Sequence, residues 1–160
     1  MTSAAALVTL LTDRGWTLGL AESLTGGAVS SAVVAVPGAS AVLCGAVVAY
    51  ATPVKHTLLG VDAELLDEHG PVHPRVAEQM AEGVRAAVAV DGRPADVGIA
   101  TTGIAGPASP DGQPVGTVHV GVATPVGVRS VSFRFGGDRE EIRRQSVDAA
   151  ISAALRMLQE

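Results

Sequence analysis

Residues 17–34 read TLGLAESLTGGAVSSAVV, and this stretch decides the fold class. A short apolar run meets a polar knot that ends in two glycines, and then small and apolar residues resume. That is the pattern of a buried strand, a tight turn and a helix. TLGLA (17–21) has no polar face, as a strand covered by helices on both sides requires. Either Ser23 or Thr25 is placed to open the helix, which runs to about Val34, before Pro37 and Gly38 break it. The stretch also poses a chemical question. Ser23 is either an ordinary cap or a hydroxyl set at the end of a strand for chemistry.

Outward from this unit, residues 3–14 form a helix with Leu7, Leu10 and Leu11 on one face, ended by Gly15. Residues 41–51 (AVLCGAVVAYA) read as a long, nearly unbroken apolar strand, as expected of a central one, with Cys44 inside it. Pro53 starts a short helix carrying Lys55, Leu58 and Leu59, and Asp62 caps a further turn or two over 62–68. Residues 74–90 are amphipathic, with Val76, Met80, Val84 and Val88 at helical spacing. DVGIATTG (96–103) is a buried strand, and 104–114 (IAGPASPDGQP) is a loop. Residues 115–124 and 127–135 alternate as a hairpin, and Asp138 caps a last helix over 139–158. Helices alternate with strands early and a hairpin comes late. The expected architecture is α/β, a three-layer α/β/α arrangement of a mixed sheet covered on both faces.

Composition narrows the function. The 160 residues fit one domain, with a core built from Ala, Val, Leu and Ile because aromatics are nearly absent. A formal net charge of −5 with scattered basic residues argues against nucleic-acid binding. The chain shows no signal-peptide pattern, and no stretch reaches the roughly 20 apolar residues of a bilayer span, so neither secretion nor a membrane role is expected. One cysteine excludes an internal disulfide and fits a reducing cytoplasm. Among the basic residues ten are Arg and one is Lys, Lys55, while Tyr50 is the only tyrosine. A lone Lys in an Arg-rich chain suits a task that Arg cannot perform, giving up its proton.

Three polar islands interrupt the apolar chain, each at the end of an expected strand: Glu22–Gly27, Tyr50–Lys55 and Thr101–Pro107. Ligand crevices of open α/β sheets form at strand ends. The first island suits an anion cradle at a helix start, though Ser/Thr-Gly is also common at plain caps and the Lys of a phosphate-binding P-loop is missing. The second supplies a base: a desolvated Lys with lowered pKa can take the proton of a serine hydroxyl. A surface Lys and a core Tyr is the competing reading. Metal ligation is not expected, because Gly70 and Pro71 separate His69 from His73, and His56 and His119 stand alone.

AESLTGG (21–27), PGAS (37–40), VVAYATPVKHTLLGV (47–61), HGPVHPRVAEQMAEGVR (69–85), TTGIAGP (101–107), PVGTVHVGVA (114–123) and GGDREEIRRQS (136–146) together resemble the C-terminal domain family of the competence/damage-inducible protein CinA. Stand-alone members of that family are PncC-type nicotinamide-nucleotide amidohydrolases. The resemblance implies hydrolysis of the carboxamide of nicotinamide mononucleotide to nicotinic acid mononucleotide and ammonia, with no metal or cofactor, in a cytoplasmic homodimer. It places a catalytic serine and lysine on Ser23 and Lys55, with Tyr50 beside them as relay or support. It puts Glu22, Thr25, Gly26, Gly27, Ser40, Thr102, Gly103 and Ala105 at the substrate, with the backbone N–H groups of the Thr25–Gly27 turn as candidates for the oxyanion or the phosphate. Of Arg139, Arg143 and Arg144, which could reach a phosphate or form a solvated helix face, Arg144 is taken as the contact.

Two departures stand out. Family members often read AESCTGG where Leu24 replaces the cysteine here, which favours Ser23 as nucleophile if the chemistry is kept. YATPVK (50–55) stands where many relatives have YSNEAK, so the polar run between Tyr and Lys is lost while their spacing is kept. The alternative from another class is a nucleotide-binding module without catalysis, acting in a competence or DNA-damage assembly.

Overall fold

A computed structural model describes residues 1–160. The chain runs α1 (Ser3–Arg14), β1 (Leu18–Glu22), α2 (Ala28–Val34), a 3-10 turn at Ala39–Ala41 and β2 (Leu43–Val48). Then follow α3 (Thr52–Leu59), α4 (Ala63–His69), α5 (Pro74–Ala87), β3 (Val97–Gly103), β4 (Thr117–Thr124), β5 (Gly127–Arg134) and α6 (Arg139–Gln159). The five strands form one mixed sheet in the order β2-β1-β3-β4-β5. β1 lies parallel to both β2 and β3, and β3, β4 and β5 are antiparallel. The expected three-layer α/β/α architecture is present.

The layers follow from which apolar side chains each strand sends to each face. Leu18, Leu20, Ile99, Val120 and Val122 point to one side, where Leu7 and Leu11 of α1, Val29 and Val33 of α2 and Ile151 and Leu158 of α6 cover them. Ala21, Ala100 and Ala123 face the other side and meet Leu59, Leu65, Met80 and Val84 from α3, α4 and α5. Each fully buried Leu or Val contributes about 1.5–3 kcal/mol by leaving water. Small residues on the second face let α5 sit close to the sheet. A Cβ at Gly98 would fall 1.9 Å from the Ala81 carbonyl oxygen, and one at Gly121 would fall 2.2 Å from that of Ala77. No helix is long and apolar enough to cross a membrane.

Three expectations need correction. The apolar run 41–51 is an edge strand, not a central one, and only residues 43–48 are extended. Leu43, Cys44 and Val47 are half-buried, Ala46 and Val48 are exposed, and Val88 lies against the Gly45 face. An apolar run has the same pattern in either place, and neighbours decide which it is. Helix α5 stops at Ala87, three residues early, and α2 begins at Ala28, not at Ser23 or Thr25. The second shift changes the site.

Candidate functional site

The order β2-β1-β3 puts the C-terminal ends of three parallel strands side by side, which brings the three polar islands together. β1 delivers Ser23, the end of β2 delivers Ala49 and Tyr50, and β3 delivers Thr101, Thr102 and Gly103. A cavity of about 400 Å³ opens there, within the ~300–1,000 Å³ range of small-molecule sites. Ser23, Tyr50, Lys55, Thr102, Gly103 and Ala105 line it together with Arg139.

Lys55 is the largest fully buried side chain of the protein, 1% exposed. It sits in the first turn of α3, just after the connection from β2. Side chains of a helix lean toward its N-terminus, so this one points back at the end of β2. Its Nζ donates to the carbonyls of Ala49 (2.7 Å) and Tyr50 (3.2 Å) and lies 2.9 Å from Ser23 Oγ. No carboxylate pairs with it. Burial therefore lowers the pKa from 10.5 to about 8. In its neutral form the amine has two N–H groups, which match the two carbonyls, and one lone pair, which is left for the Ser23 hydroxyl proton.

The expected anion cradle at the start of α2 exists and is already filled. The buried Glu22 carboxylate accepts from the N–H groups of Gly27 (3.1 Å), Val29 (2.9 Å) and Ser30 (3.0 Å) and from Ser30 Oγ (2.5 Å). Glu22 thus supplies the negative charge that a helix N-terminus favours. Glu22, Thr25, Gly26 and Gly27 do not line the cavity, and Glu22 with the two glycines shapes the turn that follows β1. Gly26 and Gly27 have φ of +58° and +103°, which explains the pair without a ligand. Thr25 caps nothing. Its hydroxyl meets that of Thr101 at 2.9 Å beneath the loop.

Other residues divide the same way. Thr102 lines the cavity and donates from Oγ1 to the Pro71 carbonyl at 2.6 Å, bracing the wall formed by residues 71–72. The N–H groups of Ala105 and Gly106 face no protein acceptor. The Tyr50 side chain is exposed rather than core, and its hydroxyl accepts from Arg139 Nη2 at 3.2 Å. Only its backbone carbonyl touches the Lys55 amine. Ser40 lies in the 3-10 turn before β2, at the opposite end of the sheet from the cavity, and is exposed. Arg144 is also outside. At 3.6 residues per turn Arg139 and Arg143 share a face of α6, and Arg144 is turned about 100° from Arg143. Arg139 reaches the cavity and the Gly106 carbonyl, whereas Arg143 bonds the Leu24 and Thr25 carbonyls. Pro71, Val72 and Asp111 line the cavity with no signal in the sequence, because each sits in an irregular connection. The His69 and His73 rings lie 4.5 Å apart at a tilt of 31°, and no group of His, Cys, Asp or Glu side chains is arranged to hold a metal ion.

The family model of the CinA C-terminal domain matches residues 1–158. The chain is 46% identical over 149 residues to a CinA-like protein of Frankia casuarinae, covering 93% of this chain and 33% of that one. A CinA-like protein of Gloeobacter violaceus is 46% identical over 153 residues, covering 94% and 35%. The chain thus spans about a third of the length of these curated relatives. A solved CinA-superfamily structure from Klebsiella pneumoniae superposes with a TM-score of 0.91 at 32% identity, covering 98% of this chain and 96% of that one. The competence/damage inducible protein CihA of Agrobacterium tumefaciens gives 0.89 at 34% identity, covering 99% and 94%.

Proposed function

This chain belongs to the CinA C-terminal domain family, and from that premise we propose that it hydrolyses the carboxamide of nicotinamide mononucleotide. The products are ammonia and nicotinic acid mononucleotide. The observation that carries the reading is the 2.9 Å contact between Ser23 Oγ and a buried amine with no counter-ion. A binding module has no use for a desolvated lysine aimed at a hydroxyl, because burying it lowers stability without adding an ionic contact.

Neutral Lys55 takes the Ser23 proton as Oγ bonds to the amide carbon and the carbonyl π electrons move to oxygen. The tetrahedral species collapses, the C–N bond breaks, and the Lys55 ammonium protonates the departing nitrogen, which leaves as ammonia. Water then attacks the Ser23 ester and gives a proton to Lys55; the bond between Oγ and the acyl carbon breaks, the Lys55 ammonium returns the proton to Oγ, and the acid leaves with Ser23 and neutral Lys55 restored. The Ala49 and Tyr50 carbonyls stabilise the ammonium form midway, so the same contacts serve both half-reactions. Arg139 is the cation for the phosphate. Val72, Ile104, Ala105 and Ala108 offer apolar surface to the ring, and the Ala105 and Gly106 N–H groups offer donors.

Incubation with nicotinamide mononucleotide in the presence of a chelator, followed by assay of free ammonia, tests the reading. Ammonia released by the wild type and not by Ser23→Ala supports it. Binding without release by the wild type at every pH from 6 to 9 would favour the nucleotide-binding alternative.

A further inference from the structure

Three charged side chains stand in the cavity wall: Lys55, Arg139 and Asp111. Lys55 is neutral when it acts as base, so Arg139 and Asp111 carry the fixed charge of the site. They come from opposite layers of the fold. Arg139 begins α6, whereas Asp111, in the connection from β3 to β4, is tied to Val72 between α4 and α5. The Gln113 amide makes that tie: its Nε2 donates to the Val72 carbonyl and to Asp111 Oδ2, each at 2.9 Å. Asp111 Oδ1 accepts from Ser109 Oγ and from the Gln113 N–H, each at 3.2 Å. Burial pushes the carboxyl up, but the hydrogen bonds from Gln113 and Ser109 outweigh it and hold the group below its ordinary value. Asp111 is therefore an anion near neutral pH, and no Lys, Arg or His side chain pairs with it. A carboxylate has about four acceptor positions, of which these contacts use three. The charge is thus fixed beside Val72, at the edge of the apolar patch that Val72 shares with Ile104, Ala105 and Ala108.

We propose that Asp111 determines specificity for the ring, its carboxylate serving as counter-charge to a pyridinium, so that the site selects amides on a permanently cationic ring over the same amides on a neutral one. Nicotinamide mononucleotide has its positive charge on the ring and its negative charge on the phosphate. The cavity presents the complementary pair, Asp111 beside the apolar patch and Arg139 from the opposite layer. A carboxylate already oriented by three hydrogen bonds needs no ordering when it meets a cation, which keeps the cost of binding low. A dihydropyridine ring has the same carboxamide, ribose and phosphate but no charge, so attraction to Asp111 separates the two forms. Asp111 is exposed at the rim, where water screens it, and the pair is worth about fivefold in affinity. Arg139 adds nothing to this choice, because both forms have the phosphate. Nor does Asp111 share in proton transfer, since neither Ser23 nor Lys55 is among its partners.

The inference rests on the nucleotide reading of the site, and a binding experiment separates it from the amidase chemistry. Dissociation constants of nicotinamide mononucleotide and of its reduced, dihydropyridine form are measured by calorimetry at low ionic strength, in Ser23→Ala so that neither is consumed. Adding Asp111→Asn is expected to weaken the oxidised form about fivefold and the reduced form less than about twofold. Adding Asp111→Glu, which keeps the charge, should leave the preference within about twofold of its starting value. Comparing two ligands on one protein cancels any loss of folded material. Equal weakening of both forms by Asp111→Asn overturns the proposal, as does weakening of neither, or failure of both forms to bind. If the unmutated protein releases no ammonia but the selective loss is seen, the amidase reading falls and the choice by charge stands. Ammonia release with equal weakening of the two forms is the reverse result.

Discussion

Replacing Lys55 by Met removes the buried amine and keeps the length of the side chain, and the structure fixes the size of the response. In the unfolded chain the amine titrates near 10.5, and in the native protein burial lowers this to about 8. Below pH 8 both states bind the proton, and the native state bears the whole penalty of about 3 kcal/mol at 1.36 kcal/mol per pH unit. Between about 8 and 10.5 the unfolded chain holds the proton and the native protein does not, so wild-type stability rises with pH. Above that range neither state is charged and the penalty is gone. Met also leaves the Ala49 and Tyr50 carbonyls without their donor, a loss of about 1–3 kcal/mol that does not depend on pH. Comparison across pH isolates the charge. Urea unfolding of wild type and Lys55→Met at pH 7 and pH 10 should show the variant's relative stability falling by about 2.5 kcal/mol at the higher pH. Groups that titrate in both proteins cancel in the difference. A relative stability unchanged to within about 0.5 kcal/mol would refute the view that the amine is held desolvated in the native state.

The same pKa sets the rate profile. If neutral Lys55 is the base, kcat/KM should rise about tenfold from pH 7 to pH 9 with a midpoint near 8, and a flat profile would remove Lys55 from the proton transfer. Tyr50→Phe should keep kcat within about threefold, because the phenol touches Arg139 and not the amine, and a loss near 100-fold would restore a relay role. Arg139→Ala should raise KM for the mononucleotide and leave the constants for the phosphate-free riboside unchanged. Glu22→Ala should lower stability by about 1–3 kcal/mol by orphaning the N–H groups at the start of α2, and a thermal midpoint unmoved from wild type would contradict the capping role.

By itself the sequence determined what depends on local pattern. The unbroken apolar run TLGLA and the periods of 74–90 and of the hairpin specify strands and helices, and their alternation specifies a covered mixed sheet. The caps at Asp62 and Asp138 were legible because Asp competes for the first N–H groups of a helix wherever it precedes one. A single lysine among ten arginines pointed to Lys55 before any geometry, since only lysine can be neutralised by burial. What sequence left open was every question of which partner lies across the fold. The run at 41–51 shows small apolar residues whether it is central or at an edge, and strand order alone made it an edge. Glu22 in a turn looks like a group for substrate, yet it folds back onto the N-terminus of α2, because the two glycines bend the chain toward it. Arg139, Arg143 and Arg144 are alike as letters. The helical turn of about 100° per residue and the docking of α6 send the first to the cavity, the second to the Ser23 loop and the third away from both. Whether Ser23 meets Lys55 was likewise decided by tertiary structure, for Ser23 follows β1 and Lys55 lies on α3, after the neighbouring strand β2, 32 positions away in the chain.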